Sequence, residues 1–395
     1  MYTVGAGLAA ALKTGMRQVT HYVELWQGGA KKATVELLSG TVSQERTAAI
    51  RTTCDITIAG WSAFTPEEGV LGVTRLYGDN NYGDGIYGDL QRRVLQGLLL
   101  PLATELRIYA VYVEADNTTT TIPLGRFTCG NPTFDDGADG SQAIKVSGWD
   151  MAGDVSLARI ATPYVIAAGT NVGTALGAYL NSRIGSHTLT APATTVTSAR
   201  RVFLPGDDLD PWEIASQIAA LAGWQVYANR TGGWTAEALP GVVPLGTPDW
   251  EVSDLVNAQS FGYTMDGAAI RNRVVVIVNR PDNQPPLQVV ATDTAGPYGT
   301  TALGRTVATV IKDSAIVDAS HAAARANTEL DKLRHVRETL EVVTMPCPHL
   351  DAGDTVIAVS EGLEILEDYM WTIESVKYGL DVSAATTLTL SREVA

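Results

Sequence analysis

The sequence predicts a mainly β protein in which a small α/β insertion separates two blocks of antiparallel strands. Three observations support this fold class. Apolar and polar residues alternate in short segments near both ends of the chain, helical spacing of apolar residues is prominent in the middle, and 38 of the 395 residues are glycine. Alternation is typical of half-buried strands, and scattered glycines are typical of the turns between them. At about 100–200 residues per domain, this length predicts two to four domains.

The first predicted domain, residues 1–150, has the pattern of an antiparallel meander. Val19, Val23 and Leu25 fall on one face of its opening strand, and the glycine pair at 28–29 predicts a turn into the second strand. The predicted strands of this block are residues 19–26, 33–38, 41–43, 51–58, 106–114, 121–129 and 142–149.

Residues 62–101 form a long irregular loop within this first block. A Tyr-Gly pair recurs every five residues, each time followed by an acid, and the candidate site residues are Tyr77, Asp79, Tyr82, Asp84, Tyr87 and Asp89. Carboxylates are Ca²⁺ ligands and exposed tyrosines favour protein contacts, so this is a candidate ion or interface loop. The spacing departs from an EF-hand loop and from glycine-rich nonapeptide repeats, which favours an ordinary glycine-rich loop. No metal or cofactor is therefore assigned.

The second predicted domain, residues 151–245, is a small α/β insertion. Apolar residues within 171–183 have helical spacing. A stronger helix is predicted to begin at Pro211, because Asp210 can cap it, proline suits the first helical position, and Glu213 completes a capping box. The hairpin strands predicted after this helix are residues 225–228 and 234–238.

The third predicted domain, residues 246–395, returns to strands and contains one long helix, residues 319–333. Ala322, Ala326 and Leu330 share the predicted core side of this helix. The predicted strands are residues 258–265, 272–279, 287–293, 339–344, 355–359, 371–378 and 385–391, of which the last three form a C-terminal β segment. The first and third domains look like two versions of one barrel architecture, although no residue-level repeat links them.

The chain is strongly acidic, with 43 Asp and Glu against 28 Lys and Arg and a formal net charge of −15. A negative surface repels phosphate, which argues against sequence-specific nucleic-acid binding but is compatible with a passive channel through which DNA slides. No segment approaches about 18 uninterrupted apolar residues, so no stable membrane insertion is predicted. Lys13 and Arg17 follow the apolar start of the chain rather than precede it, which argues against a signal peptide.

The cysteines, Cys54, Cys129 and Cys347, are few and far apart. Their odd number and spacing argue against a disulfide framework or a zinc site, and favour thiols in a reducing cytoplasm. Cys347, His349 and Asp351 are close in sequence but lack further ligands nearby, so a turn leading into a strand is the preferred interpretation.

Motifs of bond-breaking chemistry are missing from the sequence. It contains no Gly-x-Ser-x-Gly, no His-Glu-x-x-His and no phosphate-binding loop. Acids close together in the sequence that could act as a glycosidase pair are Glu67 and Glu68, Glu114 and Asp116, and Asp207 and Asp208. Such adjacency is expected by chance in a chain with 43 acids, so the protein is predicted not to be an enzyme. The tryptophans are dispersed over all three domains, which favours core positions over a sugar-binding stripe.

Four stretches of the sequence, which together span most of the chain, carry a family resemblance. They are residues 22–29 (YVELWQGG) with 40–42 (GTV), 101–109 (PLATELRIY) with 122–127 (IPLGRF), 210–215 (DPWEIA) with the glycines at 223 and 232–233, and 348–356 (PHLDAGDTV) with 369–373 (YMWTI) and 391–392. In order and spacing the chain resembles the baseplate-hub or tail-hub proteins of tailed phages, in particular minor tail proteins of phages that infect actinobacteria. One departure is Leu102-Ala103, where relatives tend to have a glycine-containing turn.

The resemblance implies two tail-tube-type antiparallel β-barrels per subunit and a homotrimeric ring with pseudo-sixfold symmetry. It implies a structural virion protein at the tail tip, made in the host cytoplasm. Such a ring would join the tail tube and distal tail protein to tip or fibre proteins, hold the tape-measure protein, and form part of the channel for DNA ejection. DNA would only pass through the lumen. This role requires no cofactor and no bond chemistry.

Three alternatives remain open on the sequence alone. A receptor- or glycan-binding tail protein would cluster aromatic residues on one exposed loop, for which the Tyr-Gly segment is the candidate. A cell-wall hydrolase would require one of the acid pairs to be catalytic. The hub of a phage-derived contractile injection system would share the architecture without belonging to a virion.

Overall fold

The computed structural model describes residues 2, 8, 18–59, 65–66, 97–113, 118–136, 142–198, 200–206, 210–238, 248–278, 286–312, 319–363, 369–381 and 384–394. Within these ranges strands predominate over helices, and most strands belong to one large, mainly antiparallel sheet. The predicted fold class, mainly β with a small α/β insertion, is confirmed. Among the described helices, none has the length and apolar character needed to cross a membrane.

The first block contains eight strands, most of them ending close to the predicted boundaries. They are β1 (Gln18–Gln27), β2 (Ala30–Glu45), β3 (Thr52–Ala59), β4 (Thr65–Pro66), β5 (Glu105–Val113), β6 (Thr119–Cys129), β7 (Thr133–Asp136) and β8 (Gln142–Trp149). Six of them pair in a closed circuit, β1-β5-β6-β8-β3-β2, because β2 also pairs with β1. Gly28 and Gly29, with φ of 57° and 78°, form the tight turn between β1 and β2 that two left-handed residues favour.

The middle of the chain is a compact α/β unit with its own apolar cluster. Its elements are α1 (Met151–Leu157), β9 (Tyr164–Ile166), α2 (Val172–Ile184), β10 (Leu189–Thr190), β11 (Arg201–Phe203), α3 (Pro211–Ala220), β12 (Trp224–Ala228) and β13 (Trp234–Ala238). The predicted cap is present, since Asp210 Oδ1 accepts a 2.8 Å hydrogen bond from the Trp212 N–H. The rings of Trp212 and Trp234 stack at 5.5 Å, so the helix packs directly onto the hairpin.

The last block contributes strands to two separate sheets. Its elements are β14 (Trp250–Ser253), β15 (Ala258–Asp266), β16 (Arg273–Val278), β17 (Leu287–Thr292), α4 (Thr300–Leu303), β18 (Ala308–Lys312), α5 (Ala319–Leu333), β19 (Val336–Thr344), β20 (Thr355–Val359), β21 (Met370–Gly379) and β22 (Thr386–Val394). Strands β16, β17 and β18 form a small sheet covered by α5, and the others extend the large sheet. The predicted bounds of the long helix are confirmed.

The two β blocks are joined in one sheet through β2. The second half of β2 pairs with β3 on one side and with β21 on the other, where Thr41 to Glu45 face Gly379 to Ser375. A Cβ on Gly40 would lie 2.5 Å from the Asp55 carbonyl oxygen, so only glycine fits at this crossing. One apolar cluster, which includes Val42 and Tyr378, runs through both blocks. The predicted domain boundaries and the count of two barrels therefore stay predictions.

Asp150 links the end of the first block to the α/β unit. Its carboxylate accepts the Thr52 N–H at 2.8 Å and the Ala152 N–H at 2.9 Å, so it ties β3 to the first turn of α1. The side chain is 3 % exposed. Burial outweighs these hydrogen bonds and raises the pKa of Asp150 to about 6.

Substitution of Asp150 by Asn is expected to remove part of the pH dependence of stability. Because the folded-state pKa is raised, Asp150 contributes fully below pH 3.8, and this contribution is lost as the pH rises through about 6. A pKa raised by about two units corresponds to a contribution of about 3 kcal/mol to the free energy of unfolding. Urea unfolding at pH 4 and pH 7 should show a smaller difference for Asp150→Asn than for wild type. Asp55→Asn, on an exposed site of β3, is the control, and an unchanged pH slope in Asp150→Asn would contradict this assignment.

Leu102 occupies the turn where the sequence departs from the resembled family. Its φ is 62°, and among the described residues other than glycine it is alone in the left-handed region. The turn is held by its neighbours, since Thr104 Oγ1 donates to the Leu98 carbonyl at 2.8 Å and accepts from the Leu100 N–H at 3.1 Å. The Leu102 N–H donates to the Cys129 carbonyl at 2.9 Å. These bonds impose a conformation that glycine adopts at lower cost.

Leu102→Gly is expected to increase the free energy of unfolding by roughly 0.5–1 kcal/mol. Relief of about 1–2 kcal/mol of left-handed strain exceeds the entropic cost of a new glycine, about 0.5–1 kcal/mol. Little packing is lost, since the side chain is 62 % exposed. Leu100→Gly in the same turn is the matched control and should destabilise, because Leu100 does not have a positive φ. Equal destabilisation by both variants in urea titrations would argue against strain at Leu102.

Candidate functional site at the hairpin junction and the open sheet edge

The candidate loop residues from the sequence lie outside the described part of the chain. This applies to Tyr77, Asp79, Tyr82, Asp84, Tyr87 and Asp89. The candidate acid pairs also lie outside it, namely Glu67 and Glu68, Glu114 and Asp116, and Asp207 and Asp208. Within the described ranges, no three His, Cys, Asp or Glu side chains are grouped to hold a metal ion.

Cys347, His349 and Asp351 serve three different structural purposes. The Cys347 N–H donates to Thr386 Oγ1 at 3.1 Å. The His349 ring is fully buried and meets the Trp250 ring edge-on, with centroids 4.4 Å apart. Asp351 instead accepts hydrogen bonds from other parts of the chain. As predicted, this segment is a turn that leads into a strand, β20.

The tip of the β12–β13 hairpin inserts Arg230 into the large sheet. Its side chain is only 6 % exposed, and its Nε donates to Asp351 Oδ1 at 2.6 Å. Its two terminal nitrogens donate to the Pro348 and Leu350 carbonyls, and Nη2 also donates to the Tyr378 hydroxyl at 2.9 Å. The planar guanidinium therefore holds the turn before β20 and the strand β21 at once, which the five fixed donors of arginine allow.

The charges of Arg230 and Asp351 compensate one another, and the arginine is buried while the carboxylate is partly exposed. Burial alone raises the pKa of Asp351, but the Arg230 guanidinium and the hydrogen bonds from Arg230 and Gln44 outweigh it and hold that pKa below its usual range. Burial is also the main reason why the pKa of Tyr378 is strongly raised, so its hydroxyl stays protonated. Arg230 and Asp351 thus form an ion pair in which both groups stay charged at neutral pH.

Further arginines line a cleft of about 570 Å³ beside the junction. Arg126 forms a double hydrogen bond with Glu105, at 2.6 and 3.0 Å, and donates to the Thr231 carbonyl of the hairpin at 2.7 Å. Arg51 stacks on the Tyr227 ring at 3.6 Å and approaches Glu237 to 4.0 Å. Three arginines, one of them on the hairpin and two on the sheet, therefore connect the α/β unit to the sheet.

The second feature of interest is the open edge of the large sheet. In the described residues β15 pairs with β19 alone and ends the strand order of the sheet. Its residues Phe261, Tyr263 and Met265 stand opposite Val342, Leu340 and Glu338, which are buried on the inner face. Phe261 and Tyr263 are only partly buried, and Met265 is 55 % exposed. The inner face of the sheet is thus incompletely covered at this edge.

An open edge strand presents unpaired N–H and C=O groups to any strand that approaches it. At the junction, in contrast, all three nitrogens of the Arg230 guanidinium donate hydrogen bonds within the chain. The edge is therefore suited to assembly, and the junction is suited to holding the α/β unit in place. The sequence signalled the turn at 229–233 but not the burial of Arg230, because no local pattern identifies partners that are 121 residues away. The alternation in β15 predicted a strand but not that the strand would end the sheet.

Comparison with solved structures finds similar folds, whereas comparison of sequences finds no match. No family model and no curated protein matches the sequence. A tail protein from Neisseria meningitidis MC58 has a TM-score of 0.62 at 13 % identity, over 94 % of this chain and 97 % of that one. The 43 kDa tail protein of prophage MuSo2 from Shewanella oneidensis has a TM-score of 0.59 at 12 % identity, over 94 % and 98 %. A chain of the half-lidded Francisella PdpA-VgrG complex has a TM-score of 0.51 at 8 % identity, over 98 % of this chain and 60 % of that one.

The chain therefore has a mainly β fold shared by phage tail proteins and by a chain of the VgrG complex. The resemblance to the phage tail-hub family is confirmed at the level of the fold. Two of these matches span nearly the whole of both chains, so the likeness is not confined to one part of the chain.

Arg230→Met is expected to lower the free energy of unfolding by about 1–3 kcal/mol, because it removes the charged donor from the partly exposed Asp351 carboxylate and from two backbone carbonyls. Asp351→Asn should also destabilise, and the double variant should cost less than the sum of the two single changes. Urea unfolding monitored by tryptophan fluorescence measures all three. Arg325→Met is the matched control, since Arg325 is 47 % exposed in a surface pair with Glu329. If Arg230→Met lowers the free energy of unfolding as little as the control does, the Arg230 interactions do not hold the hairpin on the sheet.

Proposed function

We propose that this protein is a structural subunit of a phage tail, located at the tail tip as the tail or baseplate hub. In this role three copies form a ring that joins the tail tube and distal tail protein to tip or fibre proteins and lines part of the DNA channel. The proposal is supported by the fold shared with two phage tail proteins over nearly their whole length. The identities are low, so the role itself rests on the surfaces of this chain.

The observation that carries the proposal is the position of β15, which ends the large sheet in the described part of the chain. A closed ring of identical subunits needs a heterologous contact, in which two different surfaces of each copy meet. The edge offers main-chain hydrogen bonds, and Phe261, Tyr263 and Met265 offer apolar contact to the neighbour. An edge of this kind in a monomer invites uncontrolled aggregation, whereas in a ring every edge is covered.

The charge of the chain fits a passive channel. A lumen through which DNA moves should not bind phosphate, and the formal net charge of −15 disfavours such binding. The proposed role requires no catalysis. The proposed partners are further copies of the chain, the tail tube or distal tail protein, the tape-measure protein, and tip or fibre proteins.

A second candidate is the hub of a phage-derived contractile injection system. It is favoured by the likeness to a chain of the PdpA-VgrG complex. This chain spans 60 % of the length of that neighbour. Both candidates predict a ring, and the genes beside this one distinguish them, since a virion requires capsid and packaging genes and an injection system does not.

Met265→Lys is the variant that tests the ring. It places a charge on the inner face of the open edge, and an inward-pointing charge at an edge blocks pairing with another strand. We expect the wild type to form threefold rings, alone or with tail-tube partners. The variant should need an about tenfold or more higher concentration for half-assembly, because about 1.4 kcal/mol corresponds to tenfold.

Light scattering after size exclusion and negative-stain images give the mass and the symmetry. Met265→Leu is the matched control, because it conserves volume and apolar character. A wild type that stays monomeric even with its tail partners, or a Met265→Lys ring as stable as wild type, would refute this use of the edge.

A further inference from the structure

The unit between β15 and β19, residues 267–335, stands directly at the open edge of the large sheet. Its described elements are the three-stranded sheet β17-β16-β18, the short helix α4 and helix α5. The helix covers one face of the sheet through a small apolar cluster, whose buried members are Val274, Val276, Val278, Ala291, Ala322, Ala326 and Leu330. Because β15 enters this unit and β19 leaves it, any subunit that reaches the edge also comes near the unit.

The other face of this small sheet has a row of valines at its centre. Val275 in β16 stands opposite Val290 in β17 and Val310 in β18, so the three side chains form one row across the sheet. Val290 is 48 % exposed and Val310 is 55 % exposed. Ile277 lies on the same face, two residues along β16. Helix α5 and this row thus lie on opposite faces.

The charged residues on this outer face are basic. Arg273 and Lys312 flank the valine row, and the remaining outward positions of the three strands are the uncharged Gln288, Thr292 and Ala308. Residues 267–335 contain eight Lys or Arg and six Asp or Glu. Of the chain's 28 basic and 43 acidic residues, this leaves 20 and 37 elsewhere. The unit is therefore slightly positive on a chain that is otherwise strongly negative.

The face is too small to hold a complex by itself. Three strands about 4.8 Å apart and roughly five residues of about 3.3 Å each cover about 200–250 Å². A stable interface needs about 800 Å² on each partner. Contact at this face must therefore accompany a larger one, and the adjacent open edge of β15 is the continuous candidate.

We propose that the outer face of this unit, centred on Val275, Val290 and Val310, docks against an acidic surface of a second copy of the chain. This proposal rests on the proposed ring and adds a second contact to the β15 edge. Two identical faces do not fit one another, because Arg273 and Lys312 would meet their own counterparts. The contact is thus heterologous, as ring closure requires. Opposite charges around an apolar centre give such a contact its orientation.

Two double variants of the full chain separate the apolar contribution from that of charge. Val290→Glu with Val310→Glu removes the apolar row and adds acids that face the acidic partner. Val290→Lys with Val310→Lys removes the same row but adds basic groups. Both pairs change exposed positions, so thermal unfolding verifies that each variant folds. Sedimentation velocity across a concentration series then gives the concentration for half-assembly.

We expect the Glu pair to raise the half-assembly concentration by about tenfold or more, equivalent to about 1.4 kcal/mol. The Lys pair should raise the half-assembly concentration several-fold less than the Glu pair does. High salt should narrow the difference between the two pairs, since salt screens interactions between exposed charges. If wild type forms rings and both pairs assemble like wild type, the docking face is refuted while the ring stands. If both pairs weaken assembly equally, an acidic partner surface is refuted. A wild type that never assembles refutes the ring and the docking face together.

A cross-link identifies the occupant independently. Val310→Cys can carry a maleimide-linked photo-cross-linker, because the native Cys54, Cys129 and Cys347 are all buried. In a mixture of isotopically light and heavy chains, cross-linked peptides of mixed mass from an acidic segment support the proposal. Cross-links confined to one chain, or only to another tail protein, overturn it. Met265→Lys is the control that should reduce mixed cross-links at a concentration where wild type is assembled, because it weakens ring formation.

Discussion

The structure depends on one long strand that changes partners along its length. The first half of β2 pairs with β1, and its second half passes between β3 and β21. This is possible because Gly40 lets the backbone of β3 approach more closely than any Cβ permits. Without this crossing, the first and last parts of the chain would be separate sheets with separate cores. With it, residues more than 300 positions apart share one apolar cluster.

The long-range connection also explains why a buried charge network is tolerated at the hairpin. Removing an arginine and a carboxylate from water costs several kcal/mol per ion, and only close pairing with satisfied hydrogen bonds offsets this. Arg230 meets both conditions, because it binds Asp351, two carbonyls and the Tyr378 hydroxyl at the place where β21 joins β2. Replacing such a network by apolar residues is often neutral for stability. Its specific benefit here is orientation, since the guanidinium fits one placement of the hairpin on the sheet.

The sequence predicted local elements well and long-range partners poorly, for a physical reason. Alternation in 106–114, the capping residue Asp210 and the proline at the first helical position are local signals, and the corresponding strand and helix are present. Pairing of β2 with β21, the burial of Arg230 and the edge position of β15 depend on residues far away in the chain. No periodicity encodes them. The turn at Leu102 was predicted in part. The sequence showed that a leucine stands where the resembled family tends to have glycine, but it did not show that this leucine has a left-handed backbone.

In the proposed ring, the edge strand β15 and the acidic net charge of the chain act together. An open edge aggregates when copies meet at random, and a net charge of −15 opposes such encounters by repulsion. The same repulsion opposes the ring, so assembly needs a local exception in a defined orientation. In the proposed ring, the slightly basic unit at 267–335 beside the edge would provide that exception, because it would lower repulsion only where it faces an acidic neighbour. Charge would then select the orientation of the incoming subunit, and the apolar row and the edge strand would supply the affinity.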